Sequence, residues 1–412
     1  MAVLRRAPRK LVPPSVLVLT WAANGPAVAD LSGSPVVWEV RGCREARLGA
    51  VLRPLDDVDG DGVPDLVVAA PEFPHVPRGW GYVAILSGRT GETLRRWASA
   101  DPTVLYARAL DVIGDVDGDG LRDVVVHDGR RLEVVSPVSG EVLYRLAELP
   151  GSVPGIFDRA GDLGDLDGDG VHDFFETNST LFVSGAEVGR VAARSGRDGR
   201  LLWETLGGDE LGALARSVVA VPDVTGDGVT DLVVGQSRGG ADRPTGGLVL
   251  LSGVDGSVVE DFVPDPTLRA FGSRDLVLLG DEDGDGRVEV AVSAHLASEG
   301  RRVDVGWVGV FEIPDFRLSW SLYGPNARTE RLRGSELGYR LAGAGDVDRD
   351  GVVDVLISTD NSRLKGLGTN FGRLYLRSGR SGQLLQVYEA AEQFGVYFSS
   401  LSALGDVDGD GQ

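Results

Sequence analysis

The chain has 412 residues, of which 42% are hydrophobic and 25% are charged, a composition typical of a folded globular protein. Its formal net charge of −21 argues against general nucleic-acid binding, which requires a basic surface. A single cysteine excludes an intrachain disulfide, and 59 glycines, about twice the usual share, predict many tight turns rather than a helical bundle.

The first thirty residues have the pattern of a secretory signal. Four basic residues lie within residues 5–10, an apolar stretch covers 11–23, and the sequence Ala-Val-Ala occupies 27–29. The apolar stretch is shorter than the roughly 20 residues that a membrane-spanning helix needs. We therefore predict a signal peptide at 1–29, cleaved after Ala29, and a mature protein without a membrane span that is secreted, whether extracellular or periplasmic.

The rest of the chain, residues 30–412, repeats a short acidic string whose complete form is Asp-x-Asp-x-Asp-Gly-x-x-Asp. The string begins at Asp57, Asp115, Asp165, Asp223, Asp281, Asp346 and Asp406, with spacings of 58, 50, 58, 58, 65 and 60 residues. A fixed period of this length is the signature of a repeat architecture. The sequence thus predicts one repetitive domain instead of two or three different ones.

Each unit has the pattern of four short strands. In the first unit, residues 48–55 lead into the acidic loop and the apolar run 65–70 leaves it. Two further segments, 80–86 and 92–97, flank a Ser-Gly turn. Four antiparallel strands repeated six or seven times indicate a β-propeller. We predict an all-β fold, a propeller of four-stranded blades with six complete blades and a partial seventh.

The seventh unit contains a first strand at about 396–404 and then ends at Gln412. Residues 36–40 resemble a fourth strand, but the seventh unit offers no third strand with which it could pair. An open ring would expose unpaired strand edges, which favours aggregation. We therefore expect the propeller domain to be truncated, and the full chain to be seven-bladed, with roughly 25 to 40 further residues completing the last blade.

The acidic loops have the donor set of calcium sites. Positions 1, 3 and 5 carry carboxylates in every loop except the fourth, where Thr225 replaces the acid at position 3, and Gly at position 6 allows a sharp turn. Position 7 offers a backbone carbonyl, and the acid at position 9 completes an all-oxygen set that suits Ca²⁺. Asp and Gly favour turns in any case, but six loops of converging carboxylates would repel one another without a cation. The sequence predicts about six Ca²⁺ sites, one in each complete unit, and an incomplete seventh.

The predicted ligands follow one scheme in every loop. They are Asp57, Asp59, Asp61, Val63 and Asp65; Asp115, Asp117, Asp119, Leu121 and Asp123; Asp165, Asp167, Asp169, Val171 and Asp173; Asp223, Thr225, Asp227, Val229 and Asp231; Asp281, Asp283, Asp285, Arg287 and Glu289; Asp346, Asp348, Asp350, Val352 and Asp354; and Asp406, Asp408 and Asp410. An EF-hand carries Glu at position 12, where only the third unit has an acid, Glu176. Strand-forming residues surround that position, so we predict a strand there.

These residues carry a family likeness. The unit resembles the FG-GAP repeat of the integrin alpha-chain propeller and its bacterial secreted relatives. Phe271-Gly272 and Phe394-Gly395 match the "FG" element at the first strand, and the sequence at 68–71 matches the "GAP" element at the end of the second. The acidic loop lies between the two elements, as it does in that family.

The resemblance implies a non-enzymatic extracellular binding or adhesion platform without catalytic residues. Its partner would be an extracellular protein or glycan, bound on the face opposite the calcium loops, where variable loops lie on a rigid scaffold. Two enzyme alternatives remain at this point: a calcium-dependent polysaccharide lyase on a propeller scaffold, and a quinoprotein-type dehydrogenase, which the Ser-Gly turns and fourth-strand tryptophans also resemble.

Overall fold

The computed structural model describes residues 2–3, 16–21, 40, 48–71, 81–98, 106–127, 131–146, 159–208, 211–237, 245–281, 284–325, 335–359, 373–389 and 397–403. Within these ranges the protein is all-β, with 29 strands and no helix. The predicted fold class is therefore confirmed.

Two strands near the start of the chain are β1 (Ala2–Val3) and β2 (Val16–Trp21). The first unit contains β3 (Val51–Leu55), β4 (Asp65–Ala70), β5 (Tyr82–Leu86) and β6 (Thr93–Ala98); the second contains β7 (Leu110–Val112), β8 (Val124–His127), β9 (Leu132–Val135) and β10 (Val142–Leu146). The third contains β11 (Ala160–Gly164), β12 (Asp173–Asn178), the small hairpin β13 (Phe182–Val183) and β14 (Ala186–Glu187), β15 (Arg190–Arg194) and β16 (Leu201–Leu206).

The fourth unit contains β17 (Ala213–Val221), β18 (Asp231–Ser237), β19 (Gly247–Leu251) and β20 (Val258–Phe262); the fifth contains β21 (Phe271–Gly280), β22 (Val288–Ala294), β23 (Trp307–Ile313) and β24 (Arg317–Tyr323). The sixth contains β25 (Leu337–Gly343), β26 (Val355–Thr359), β27 (Arg373–Arg377) and β28 (Leu384–Glu389), and the seventh supplies β29 (Tyr397–Ala403).

Each of the first six units forms one antiparallel four-stranded sheet, with its strands in sequence order. In the first blade, Leu52 lies opposite Val68, Val68 opposite Ala84, and Ala84 opposite Arg96. Glu176 lies on β12, as predicted, and not on a helix. Six complete blades are thus present.

Burial differs systematically across a blade. Second and third strands such as β4 and β5 are buried at every residue, whereas β6, a fourth strand, is exposed or half-buried throughout. Apolar residues of neighbouring blades form shared clusters; one contains Leu55 and Val67 of the first blade together with Leu110 and Val124 of the second. The core therefore lies between the blades, and it continues from one blade to the next around the ring.

The first strand of every unit lies on the inside of the ring. These inner strands contact one another in the order β3, β7, β11, β17, β21, β25 and β29, and β29 also contacts β3. The seventh unit therefore occupies a position of its own between the sixth blade and the first. This arrangement confirms the predicted partial seventh blade.

The partner of β29 is a finding that the sequence did not predict. The N-terminal strand β2 pairs antiparallel with β29, with Val16 opposite Ala403 and Trp21 opposite Tyr397, and β1 pairs with β2. The apolar stretch of the predicted signal thus takes the second-strand position of the seventh blade, where it satisfies an edge that would otherwise be unpaired. Cleavage after Ala29 stays a prediction, and it would remove both strands. The proposed fourth strand at 36–40 lies outside the described residues except for Val40, which packs against the first-blade cluster.

Tryptophans on the fourth strands connect adjacent blades. Trp97, Trp203 and Trp320 lie on fourth strands, as predicted. The Trp203 Nε1–H donates to the carbonyl of Gly253 in the following unit at 2.8 Å, and Trp320 donates to Gly379 at 2.5 Å. These two bonds hold the third-to-fourth turns of the fourth and sixth units, which also contact the acidic loops of their own units. The Nε1 atom of Trp97 is buried without a hydrogen-bond partner.

Candidate metal centres

The six acidic loops join the first and second strands of their blades, so they lie at one face of the ring. The turns between third and fourth strands lie at the same face. In the first unit, the Gly88 amide of that turn donates to the Asp65 carboxylate at 3.0 Å. Each candidate centre is therefore built from one loop and one turn that are more than twenty residues apart in sequence.

The aspartate at position 1 organises its own loop. The Asp57 carboxylate accepts hydrogen bonds from the amides of Gly60, Asp61 and Gly62 at 2.8, 3.0 and 2.7 Å. Desolvation is the largest single influence and raises the pKa of Asp57, but the three amide bonds, together with a side-chain hydrogen bond to Asp59, outweigh it and hold that pKa below its usual range. Asp223 and Asp281 accept the equivalent three bonds. The loop is thus preformed by its backbone amides.

Glycines at positions 4 and 6 permit this wrapping. Gly60 and Gly62 have φ of +77° and +85°, a region that L side chains rarely adopt. The position-5 carboxylate then accepts the amide of position 7, as Asp61 does from Val63 at 2.9 Å. Oxygens of Asp57, Asp59 and Asp61 then lie within 4.8 Å of one another.

The acid at position 9 is the buried member of the set. Asp65, Asp123, Asp173, Asp231 and Asp354 are each completely buried, and Glu289 is 2% exposed. In most units, amides of the loop and of the turn hold this carboxylate. Asp173 accepts from Leu166 at 2.7 Å, Asp167 at 3.2 Å and Gly196 at 3.0 Å.

The second unit departs from this arrangement. Its turn begins at Ser136, because the Ser136 amide donates to Glu141 as Ser87 does to Glu92, and Pro137 therefore stands where the other Ser-Gly turns carry glycine. Proline has no amide hydrogen. Asp123 accepts only from Val116, at 2.8 Å, and its Oδ1 atom is buried without a hydrogen-bond partner. Desolvation, reinforced by Asp117, Asp119 and Asp115, raises the pKa of Asp123 to about 7.

Four loops bring three carboxylates close enough to share one ion. The oxygens of each group lie within 4.8 Å of one another: Asp57, Asp59 and Asp61; Asp115, Asp117 and Asp123; Asp165, Asp167 and Asp173; and Asp346, Asp348 and Asp354. The fourth loop has Thr225 at position 3, whose hydroxyl contacts Asp223 and Asp231, each at 3.4 Å. Asp283 of the fifth loop, and Asp406, Asp408 and Asp410 of the seventh, lie outside the described residues.

The donor chemistry of these groups fits calcium. All the side-chain ligands are oxygens of carboxylates or a hydroxyl, which hard cations of Ca²⁺ size prefer. The unpartnered Oδ1 of Asp123 points the same way, because a buried carboxylate oxygen without a donor needs a positive partner. Repulsion within the sixth group also contributes to the raised pKa of Asp348, for which desolvation is the largest cause, followed by Asp350.

Arginines of the third-to-fourth turn bind carboxylates of these centres, a contact that the sequence motif did not predict. Arg89 and Arg197 bind the position-5 carboxylates Asp61 and Asp169 at 3.1 and 2.6 Å. Hydrogen bonding to Arg197 is the main cause of the lowered pKa of Asp169. The Ser-Gly-Arg turn recurs in the sequence and could have indicated a shared role. Its sequence alone does not show that its arginine contacts the acidic loop.

The ring of antiparallel blades and the acidic loops at one face define the class of protein. It is a β-propeller with a set of candidate cation sites. The FG-GAP repeat model matches residues 49–86, which contain the first acidic loop and strands β3 to β5. Over 118 residues the chain is 29% identical to integrin alpha-E of Mus musculus, covering 27% of this chain and 10% of the integrin. Over 208 residues it is 28% identical to integrin alpha-V of Gallus gallus, covering 47% of this chain and 19% of that integrin.

These matches support the predicted resemblance: residues 49–86 match the FG-GAP repeat, and the chain is similar in part to integrin alpha chains. The matched regions span no more than about a fifth of these relatives' lengths. Among solved structures, BBS1N in complex with ARL6DN has a TM-score of 0.49 at 12% identity, over 83% of this chain and 82% of that chain. Within the described ranges, no helix is both long and apolar enough to cross a membrane.

Proposed function

We propose that this chain is a secreted, calcium-binding propeller that acts as a non-enzymatic binding or adhesion platform. The observation that carries the proposal is the fourfold recurrence of three carboxylates whose oxygens lie within 4.8 Å of one another, with a buried position-9 acid included in three of the four groups. Similarity to integrin alpha chains supports a binding role, and the signal-like N-terminus supports an extracellular place. The loops would hold Ca²⁺, and the bound ions would stiffen one face of the ring.

Calcium would act on stability, because its removal leaves clustered carboxylates that repel one another. A ligand present at a hundred times its Kd stabilises the folded state by about 2.7 kcal/mol per site. Several such sites would dominate the roughly 5–15 kcal/mol that typically separates the folded from the unfolded state. The partner, an extracellular protein or a glycan, would bind on the opposite face, for which the rigid ring is the scaffold.

Calcium binding can be tested by titration calorimetry and thermal melting. In 2 mM calcium, chosen because extracellular modules bind at roughly 10⁻⁴–10⁻³ M, we expect about six bound ions and a melting temperature at least about 10 °C above that in EDTA. The double variant Asp57→Asn/Asp59→Asn should lose one ion. The exposed-turn variant Asp255→Asn is the matched control and should lose none. A melting curve that EDTA leaves unchanged contradicts the proposal.

The binding role needs a separate test. A glycan array and a panel of extracellular matrix proteins, probed in calcium and again in EDTA, should yield a partner that is retained in calcium and released in EDTA. Retention that is equal in both conditions would contradict a calcium-stabilised platform.

A further inference from the structure

A cavity of about 1030 Å³ lies along the axis of the ring. Inner strands of all seven units line it, from Val51 on β3 to Ser402 on β29. A volume of this size is typical of sites for small molecules and not of packing defects. The cavity extends to the acidic loops at one end, where Arg122 of the second loop lines it and binds Asp56 at 3.0 Å, but no ligand carboxylate of the loops lines it.

The charge of this cavity is opposite to that of the protein. Seven arginines and two aspartates line it, a formal charge of +5 in a chain whose net charge is −21. Low-dielectric walls focus such a field into the channel. The arginine side chains come from six different units, so the concentration of positive charge is created by the ring and by no single segment.

The two aspartates do not neutralise the arginines around them. Asp111 binds Arg53 and also accepts the Ala160 amide at 3.2 Å. Asp275 is shared by Arg159, at 2.8 Å, and Arg340, at 3.4 Å. Three guanidinium groups therefore face two carboxylates in the interior of the channel.

Arg340 retains unused donor capacity. Its Nε atom is buried and has no hydrogen-bond partner in the structure, and its contact with Asp275 is long. The side chain is 28% exposed, so the guanidinium group is reachable from the cavity. An anion with two acceptor oxygens would satisfy such a group, because guanidinium binds carboxylate, sulfate and phosphate in a bidentate manner.

Three more arginines mark the end of the channel that is remote from the acidic loops. Arg108, Arg216 and Arg274 lie in the early part of inner strands or just before them, and each inner strand runs towards its acidic loop. Arg274 lies over the ring of Tyr339, with 4.4 Å to the ring centroid. Arg216 is 42% exposed and 3.5 Å from Glu187. This entrance opens on the face opposite the candidate calcium sites.

We propose that the central channel binds a small polyanion, a molecule carrying two or more sulfate, phosphate or carboxylate groups, which enters from the face opposite the acidic loops. Arg108, Arg216 and Arg274 attract and orient the ligand, and Arg159 and Arg340 bind its acidic groups inside. The proposal goes beyond the calcium-dependent platform and does not require that function, because no acidic-loop carboxylate lines the channel.

The test uses the full chain and three probes: inorganic sulfate, inositol hexasulfate and uncharged inositol. Titration calorimetry in 50 mM salt should show one bound inositol hexasulfate per chain, weaker binding of sulfate, and no binding of inositol. Raising the salt to 300 mM should weaken hexasulfate binding at least tenfold, since the contacts are electrostatic. Each titration is run with and without calcium. Anion binding in both conditions supports the channel proposal whether or not the acidic loops bind calcium.

Variants locate the bound anion. The double variant Arg108→Gln/Arg274→Gln should weaken hexasulfate binding at least tenfold, whereas Arg301→Gln, an exposed loop arginine that does not line the cavity, should leave it unchanged. Asp275→Asn removes negative charge from the channel and should strengthen binding about threefold or more. Absence of binding by both sulfated probes overturns the proposal. Binding that responds equally to the channel and control variants also overturns it, and shows surface attraction only.

Discussion

The second and third units contain almost the same acidic loop, yet their position-9 aspartates lie in different surroundings. Asp173 accepts three backbone amides, one of them from Gly196 of its turn, whereas Asp123 accepts one amide, and the turn of its unit carries Pro137 instead of glycine. A Cβ at Gly196 would lie 1.8 Å from the His172 carbonyl oxygen, so a turn that carries proline cannot approach its loop this closely. The comparison shows that a turn 23 residues further along the chain determines the state of a candidate calcium ligand.

Giving the turn of the third unit the proline of the second should cause the largest loss of stability. Gly196→Pro removes the amide that Asp173 accepts and inserts a ring against the His172 carbonyl. We expect a loss of about 3 kcal/mol or more in the free energy of unfolding, the sum of an overpacked contact and a lost bond to a charged group. Urea unfolding in EDTA measures the change. A loss below about 1 kcal/mol would show that the turn and loop are not coupled.

Removing the position-9 carboxylate should cost more stability in the third unit than in the second, and we expect this difference to be smaller than the effect of Gly196→Pro. In EDTA, Asp173→Ala leaves three amides without an acceptor, whereas Asp123→Ala leaves one and also eliminates a poorly solvated acid. We expect Asp173→Ala to be the more destabilising by about 2 kcal/mol. Parallel urea titrations of both variants provide the measurement, and equal losses would contradict the difference in hydrogen bonding.

The position-9 acids of the second and sixth units also predict a pH dependence for the calcium-free protein. Burial raises the pKa of Asp123 to about 7 and that of Asp354 to about 6, above the ordinary value of 3.8. The folded state then binds protons that the unfolded state has released, so this stability is present near pH 4 and is lost as the pH rises through 7. We expect a decline on the order of 1 kcal/mol from pH 5 to 8.

Urea midpoints at four pH values between 5 and 8, in calcium-free buffer, test this dependence. Asp123→Asn should flatten the decline, because the amide does not titrate. Asp255→Asn, which changes an exposed turn carboxyl, serves as the control and should leave the decline intact. Stability that rises with pH in the unmodified chain would show that the lowered pKa values of residues such as Asp57 dominate instead.

Making the second unit like the others should have the smallest effect on stability. Pro137→Gly gives the turn an amide that can reach Asp123, but glycine makes the unfolded chain more flexible, which costs about 0.4–1 kcal/mol. We expect a net change below about 1 kcal/mol at neutral pH. The sharper measurement is the pKa of Asp123 by NMR titration, which should fall; an unchanged pKa would show that the turn does not close on the loop.

The sequence by itself determined the features that depend on local spacing. The acidic string, the Ser-Gly turns and the apolar runs of five or six residues specify strands and tight turns within one unit, because their physical causes act between residues close in the chain. Repetition of that unit at about sixty residues then indicated a propeller, and carboxylates at positions 1, 3, 5 and 9 indicated a cation site. The same reasoning placed Trp203 and Trp320 on fourth strands, where the structure has them.

Only the tertiary structure decided the features that join distant units. Arg159 and Asp275 are 116 residues apart and meet because the inner strands converge on one axis. No single unit supplies more than two of the arginines that line the channel, so its positive charge cannot be recognised in a sequence whose net charge is −21. The pairing of Val16–Trp21 with β29 likewise depends on an unsatisfied strand edge at the end of the ring. These groups come together only when the ring closes. Because they lie far apart in the sequence, no local pattern of residues predicts their contact.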